Sequence, residues 1–372
     1  MHIGSAFDSG NIEVVDASNP SQVKLRIRRD AGEDHFQWFH FRITGAKGQA
    51  LGLVIENAGE ASYPKGWEGY SACISSDRER WGRIPTEYDG TALRIAFTPD
   101  ADSVWLAYFA PYAHERHLDL VSRSLVHPEV AYERLGATVD GRDLDLLRVG
   151  PEGAARNFWI IARQHPGESM AEWLVEGLIE RLLDDADPVG RALRGHATFY
   201  VVPSMNPDGA ARGHLRNNAA GANLNREWAE PTLERSPEVL LVRQKMEATG
   251  ASFFLDVHGD EALPYNFIAG AEGTPSWTEA KAARQASFTA ALVEESPDFQ
   301  TRFGYPISAP GKANLAMATN WVGERFGCLA MTLEQPFKDT ADTPRPEGWS
   351  PERAKKLGGA VLGALWRCRK KL

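Results

Sequence analysis

His165 and Glu168 stand three apart in Gln164-His165-Pro166-Gly167-Glu168-Ser169, between the apolar run Phe158-Trp159-Ile160-Ile161-Ala162 and a helical pattern from Met170 to Leu183. An imidazole and a carboxylate at that spacing, lifted off the end of a buried strand and leading into a helix, can converge on one small cation. A second imidazole, His258, leaves another apolar strand pattern, Phe253-Phe254-Leu255-Asp256-Val257, with Gly259 just beyond. Two nitrogens and one carboxylate leave a position for water, which is the ligand set of a catalytic rather than a structural zinc ion. A His and a Glu three apart are common in a chain of 372 residues, so the pair needs support from elsewhere.

That support lies in two further stretches. The long irregular segment from Ser204 to Pro237 carries Asn206-Pro207-Asp208-Gly209, then Arg216-Asn217-Asn218, then Leu224-Asn225-Arg226-Glu227-Trp228. Asn-Pro-Asp-Gly alone reads as a turn. The arginines say more: one guanidinium can hold a carboxylate through two parallel hydrogen bonds, and another can stabilise the oxyanion formed when water attacks a carbonyl. In Ala330-Met331-Thr332-Leu333-Glu334-Gln335-Pro336 an acid ends an apolar strand. Facing the attacking water, such a carboxylate takes its proton and passes it to the leaving amine. By itself Glu334 would read as a surface acid at a strand end.

The elements that must position these residues follow from pattern. Short alternating runs up to about residue 112, such as Phe39, Phe41 and Ile43 against Trp38, His40 and Arg42, predict an antiparallel β-sandwich over 1–112. Trp67, Tyr70 and Trp81 in it read first as packing residues. A short helix is expected from His114 to Leu125, and its His114 and His117 form a second, weaker candidate for a metal. From about 134, strands near Leu144 to Arg148, Phe158 to Ala162, Thr198 to Val202, Phe253 to Val257, Asn266 to Ala269 and Leu329 to Leu333 alternate with helices. The helices fit Met170 to Leu183, Pro237 to Thr249, Thr278 to Glu295, Leu315 to Arg325 and Pro351 to Trp366. This order predicts an α/β domain over 113–372, with a mixed, mostly parallel sheet flanked by helices and ligands beyond the strand ends.

Composition excludes some classes. With 41 Lys and Arg against 50 Asp and Glu the formal charge is −9, which argues against a general nucleic-acid binder or an anionic-membrane binder. Cys73, Cys328 and Cys368 show no pairing or zinc-knuckle spacing and read as reduced thiols. No stretch approaches the ~20 apolar residues needed to span a bilayer, and no basic-then-apolar leader opens the chain, so a cytoplasmic protein is expected. The oligomeric state is not encoded in these features.

Taken in order, His165-x-x-Glu168, Asn206-Pro207-Asp208-Gly209, Arg216, Asn225-Arg226, His258 and Thr332-Leu333-Glu334 resemble the zinc carboxypeptidases of the carboxypeptidase A type. The β-rich leader, His165-Pro166-Gly167-Glu168 and Leu224-Asn225-Arg226-Glu227-Trp228 resemble more closely the cytosolic carboxypeptidases, whose tubulin-processing members remove glutamates. The resemblance implies an α/β/α fold behind a β-sandwich. It further implies one Zn²⁺ on His165, Glu168 and His258, with Glu334 as general base and then acid. Arg216 would polarise the scissile carbonyl, Asn225 and Arg226 would grip the substrate's free carboxylate, and the substrate would be a peptide or protein C-terminal tail. Two departures stand out. The family's flexible tyrosine has no clear match, Tyr305 being the nearest upstream, and the segment Ala316-Met317-Ala318-Thr319-Asn320, where deglutamylating relatives carry a basic pocket residue, is neutral. Lys312 is the nearby substitute. Two other readings compete: a desuccinylase- or aspartoacylase-like amidohydrolase acting on small N-acyl amino acids, and a non-catalytic recognition module.

Overall fold

Asn157–Ala162, Thr198–Val202, Phe253–Val257 and Leu329–Glu334 are strands whose residues are almost all buried. Side chains that are apolar on both faces need cover on both sides, and a parallel sheet between helix layers supplies it. A computed structural model, describing residues 1–371, shows this arrangement. These four strands pair in parallel at the centre of a seven-stranded sheet. Its edges are antiparallel: Val130–Ala137 and Asp143–Val149 on one side, Phe267–Gly270 on the other. Met170–Leu183 packs closely on the C-terminal helix Pro351–Cys368. The two axes approach because Gly177 and Gly358 lack side chains; a Cβ on Gly177 would come 2.1 Å from the Lys355 carbonyl oxygen.

Ahead of this sheet lie two five-stranded sheets. One orders His2–Gly4, His40–Thr44, Ser103–Ala107, Ala72–Ser75 and Gly82–Ile84, antiparallel throughout. The other orders Glu13–Asp16, Val23–Arg26, Leu51–Ile55, Leu93–Phe97 and Thr86–Tyr88, and is antiparallel except that Val23–Arg26 runs parallel to Leu51–Ile55. Trp67 and Tyr70 are buried, each with its polar tip bonded to a carbonyl: Trp67 Nε1 to Ala58 at 2.9 Å and Tyr70 Oη to Tyr108 at 2.7 Å.

The sandwich is not a tethered module. One continuous apolar cluster runs from Phe39 and Tyr108 in the sandwich to Phe337, Trp349 and Leu362 beyond it. Tyr108 stacks on Phe337 with ring centroids 4.4 Å apart, and Arg83 donates to the carbonyls of Phe337 and Trp349 at 2.8 and 2.9 Å.

His114–Ser124 forms the expected helix. Its buried His117 bonds Asp145 through Nε2 at 2.8 Å and stacks near His114, so the pair serves the packing of this helix on the sheet. The three cysteines are free and buried. Among the described residues no helix is long and apolar enough to cross a membrane.

One buried acid away from the cleft gives a stability prediction. Glu238, fully buried in the first turn of Pro237–Thr249, is pushed up by burial to about 7 from an ordinary value of 4.5, against the bonds from its own backbone N–H and from Asn218. The native state therefore holds a proton that the unfolded chain releases, and this group's contribution falls as pH rises from 4.5 to 7. Glu238→Gln is expected to stabilise the protein by ~2–3 kcal/mol at pH 8 and by much less near pH 5. Urea unfolding at the two pH values checks this; an equal effect at both would refute it.

Candidate active site

The parallel strands end on one side of the sheet, and the loops leaving them build the cleft. At the exit of Asn157–Ala162, Arg163 takes the left-handed conformation at φ 59°. Its buried guanidinium holds the loop from inside: Nε donates to the Pro166 carbonyl at 2.8 Å, and Nη1 to the Tyr112 carbonyl and the Glu172 carboxylate at 2.8 and 2.9 Å. His165 and Glu168 are thereby turned inward. His258 follows Phe253–Val257 and emerges beside His165 and Glu168, because that strand pairs directly with Asn157–Ala162. Gly259 is required by close approach, since a Cβ there would lie 2.5 Å from Met170 Sδ and 3.3 Å from Glu168 Cγ.

The three donor groups meet. His165 Nδ1 lies 2.7 Å from Glu168 Oε1, His258 Nδ1 lies 2.8 Å from Glu168 Oε2, and the two Nδ1 atoms are 3.2 Å apart. They form the one cluster of three potential metal donors among the described residues, all buried, with donor atoms within 4.8 Å of one another. The far nitrogen of each ring faces an acceptor: Asp256 Oδ2 at 2.8 Å from His258 Nε2, and Asn223 Oδ1 at 3.1 Å from His165 Nε2. Those acceptors call for protons on both Nε2 atoms, which leaves two Nδ1 lone pairs and a carboxylate aimed at one point. Such a set needs a cation between its members, and outer partners of this kind fix the tautomer of metal-bound histidines. Burial first, then the charge of Arg216, holds His165 down to about 3, which keeps it neutral and able to ligate. Burial also disfavours charge on His258, but Asp256 and Glu168 outweigh it and hold this ring well above its ordinary value, so without a metal the pocket retains a proton. The residues fit a zinc ion.

Around them sits an outer frame whose contacts sequence reasoning missed. Gln164 Nε2 donates to Asp256 Oδ2 at 2.6 Å, its Oε1 accepts from Trp228 Nε1 at 2.7 Å, and its backbone carbonyl accepts from Asn206 Nδ2 at 3.0 Å. The Asn206 and Trp228 of the long loop thus brace the metal loop. Asp256 carried a readable signal: it lies two residues before His258 along a strand, where side chains share a face.

Glu334 ends Leu329–Glu334, adjacent to the strand that delivers His258, whose N–H donates to the Leu333 carbonyl at 2.9 Å. It lines a cavity of about 550 Å³ together with Asn225, Thr319, Asn320, Thr332 and Tyr305. Its Oε2 is buried without a hydrogen-bond partner. Burial pushes Glu334 up to about 8, with His258 pulling against it and Glu168 adding to it. Tyr305 reaches the same cavity, its hydroxyl donating to Asp260 Oδ2 at 2.6 Å. Lys312 is exposed and does not line the cavity.

Arg216 and Arg226 approach from the long loop. No ion pair joins either to a carboxylate among the described residues. The Arg216 guanidinium lies over the Tyr63 ring, 5.5 Å from its centroid. Arg226 is exposed, with Nη1 donating to the Asn225 carbonyl at 2.7 Å. Asn225 is buried, its Oδ1 committed to the Ala318 N–H at 2.9 Å and its Nδ2 3.5 Å from a His258 nitrogen that already donates to Asp256. The Asn225 amide hydrogens are therefore free to serve a ligand.

A cleft beyond the ends of parallel strands, with a buried His–Glu–His set and an unpartnered acid, defines a metal-dependent hydrolase. Residues 3–109 match the cytosolic carboxypeptidase N-terminal domain and residues 122–351 match the zinc carboxypeptidase family. The chain belongs to the zinc carboxypeptidases and is a peptide hydrolase. Among solved structures, a metallo-carboxypeptidase from Burkholderia cenocepacia is 48% identical, covers 100% of both chains and superposes with a TM-score of 0.97. One from Pseudomonas aeruginosa, in complex with (2-guanidinoethylmercapto)succinic acid, is also 48% identical with full coverage of both chains and a TM-score of 0.96. Mouse cytosolic carboxypeptidase 6 is 28% identical over 326 residues, which are 79% of this chain and 59% of the mouse protein.

Proposed function

We propose that the protein is a zinc-dependent carboxypeptidase that hydrolyses the last peptide bond of peptides or protein tails. Zinc held by His165, Glu168 and His258 would supply Lewis acidity and lower the pKa of a water at the open position. Glu334 takes the proton of the attacking water and delivers it to the leaving amine. Arg216 stabilises the oxyanion, and Arg226 with the Asn225 amide grips the terminal carboxylate. The observation that carries this reading is the presence of two guanidinium groups that form no ion pair among the described residues, beside a buried set of three metal donors. An endopeptidase has no use for such a clamp. The (2-guanidinoethylmercapto)succinic acid in complex with the Pseudomonas relative, a compound with two carboxylates, supports it.

Paired peptides with free and amidated C-termini test the assignment. Only the free peptide should lose its last residue, and Arg226→Ala should raise KM by about tenfold or more, since charge-assisted contacts of this kind are worth ~1.5–3 kcal/mol. Equal cleavage of both peptides would eliminate an exopeptidase. Hydrolysis of N-acyl amino acids but not of peptides would favour the amidohydrolase reading.

The side-chain preference turns on the cavity. Its walls near Glu334 are neutral, with Thr319 and Thr332 hydroxyls bonded at 2.7 Å, and its one cation is Arg302. Arg302 already engages Asp342 at 2.6 Å, so an acidic terminal residue would compete for it. A peptide library ending in each amino acid, read by mass spectrometry, settles whether glutamate is preferred. A cytoplasmic location is part of the same proposal.

A further inference from the structure

Arg216 poses a problem of placement. An acidic partner in direct contact would orient its guanidinium but would cancel the charge an oxyanion needs; among the described residues no carboxylate forms such an ion pair with it, Glu261 and Glu168 acting only through space. The backbone beneath it is fixed instead from the sandwich. Asp30, between Val23–Arg26 and His40–Thr44, is buried and gives its whole carboxylate to the loop: Oδ1 accepts from the Leu215 N–H at 2.8 Å, and Oδ2 from the N–H groups of Arg216 and Asn217 at 2.7 and 3.0 Å. Three successive backbone donors around one carboxylate form a charge-assisted anchor. The loop answers in kind, Asn217 Nδ2 donating to the Ala31 carbonyl at 3.0 Å and to Asp34 Oδ1 at 2.5 Å. Gly32, at φ +90°, lets the two segments touch: a Cβ there would lie 3.3 Å from Gly221 Cα.

The side chain is steered from the sandwich as well. The Tyr63 ring offers its face to the guanidinium at 5.5 Å, a contact that directs a cation without neutralising it. Tyr63 is itself clamped by the buried Gln37, whose Oε1 accepts from the Tyr63 N–H at 2.8 Å and whose Nε2 donates to the Tyr63 carbonyl at 3.1 Å.

We propose that Asp30 and Tyr63 are positioning residues for Arg216, so that the N-terminal sandwich supplies part of the transition-state machinery; this rests on the reading of Arg216 as the oxyanion group. Oxyanion donors act through preorganisation, and a displacement of about 1 Å can cost about 10²-fold in rate.

A double-mutant cycle with Arg216→Ala, on the zinc-loaded full chain with a free-ended peptide, tests it. Arg216→Ala alone should lower kcat about 10²–10³-fold. Asp30→Asn, which turns an amide toward donors, should lower kcat about 10²-fold with KM and zinc per chain nearly unchanged. Tyr63→Leu, which keeps the backbone bonds to Gln37, should lower kcat about tenfold. In the Arg216→Ala background each second substitution should cost less than about twofold, because the group it positions is gone. Losses that are equal in both backgrounds, or no loss in the first, would overturn the proposal. If Asp30→Asn does not fold, the Tyr63→Leu cycle alone decides. A fully active Arg216→Ala would instead refute the oxyanion reading itself, whereas a slow Arg216→Ala with indifferent Asp30 and Tyr63 would refute only the positioning.

Discussion

Glu334→Gln is expected to lower kcat by about 10²–10⁴-fold while leaving zinc content and KM close to those of the parent enzyme, the range that general acid–base groups supply. The substitution keeps the size of the side chain and removes only the ability to accept and return a proton. Glu334 carries no structural hydrogen bond through Oε2, so its loss strands no partner. Burial already disfavours its charge, so a neutral amide is tolerated by the site and loss of activity through misfolding is not expected. Single-turnover kinetics on a free-ended peptide separate the chemical step from product release. Undiminished turnover would remove Glu334 from the mechanism.

His258→Ala is expected to abolish both zinc retention and activity. Removing one of three protein ligands should weaken zinc by more than the 10–100-fold that loss of an outer partner alone costs. The physical reason lies in the charges left behind. Glu168 and Asp256 are both buried and both hydrogen-bond this ring, at 2.8 Å in each case, so the variant leaves two carboxylates facing an empty space. The protein should be destabilised as well as inactive, because uncompensated buried charge is costly. Asp256→Asn should show the graded version, with zinc affinity about 10–100-fold weaker and the fold intact. Competition with a chromophoric chelator measures both. Unchanged zinc affinity in His258→Ala would place the ion elsewhere.

Much of the fold was legible because its elements carry local signals. Pro237–Thr249 begins at a proline and stops before Gly250, and Thr198–Val202 and Phe253–Val257 are unbroken buried runs. The edge strand Val130–Ala137 was not legible: it is half exposed, bulged between Arg134 and Gly136, and held by one neighbour, so neither a continuous run nor a clean alternation marks it. Helix Ala318–Phe326 starts three residues later than its periodicity suggests, because Ala318 N–H is capped from afar by Asn225.

In the cleft, the grouping of His165, Glu168 and His258 follows from strand exits, which the sequence marks with apolar runs. The partners that orient them do not. Asn223 is one asparagine among several in an irregular loop, and Asp30 reaches Arg216 across 186 positions of chain. Tyr305 lies in a segment without regular structure, and only the fold brings its hydroxyl to Asp260 beside Glu334. Such roles are defined by long-range contact and leave no spacing to read.

Anomalous diffraction at the zinc absorption edge, on crystals of the active protein, tests the central claim most directly. A single peak is predicted ~2.0–2.2 Å from His165 Nδ1, His258 Nδ1 and a Glu168 carboxylate oxygen. A fully active protein with no peak between those three side chains would contradict it.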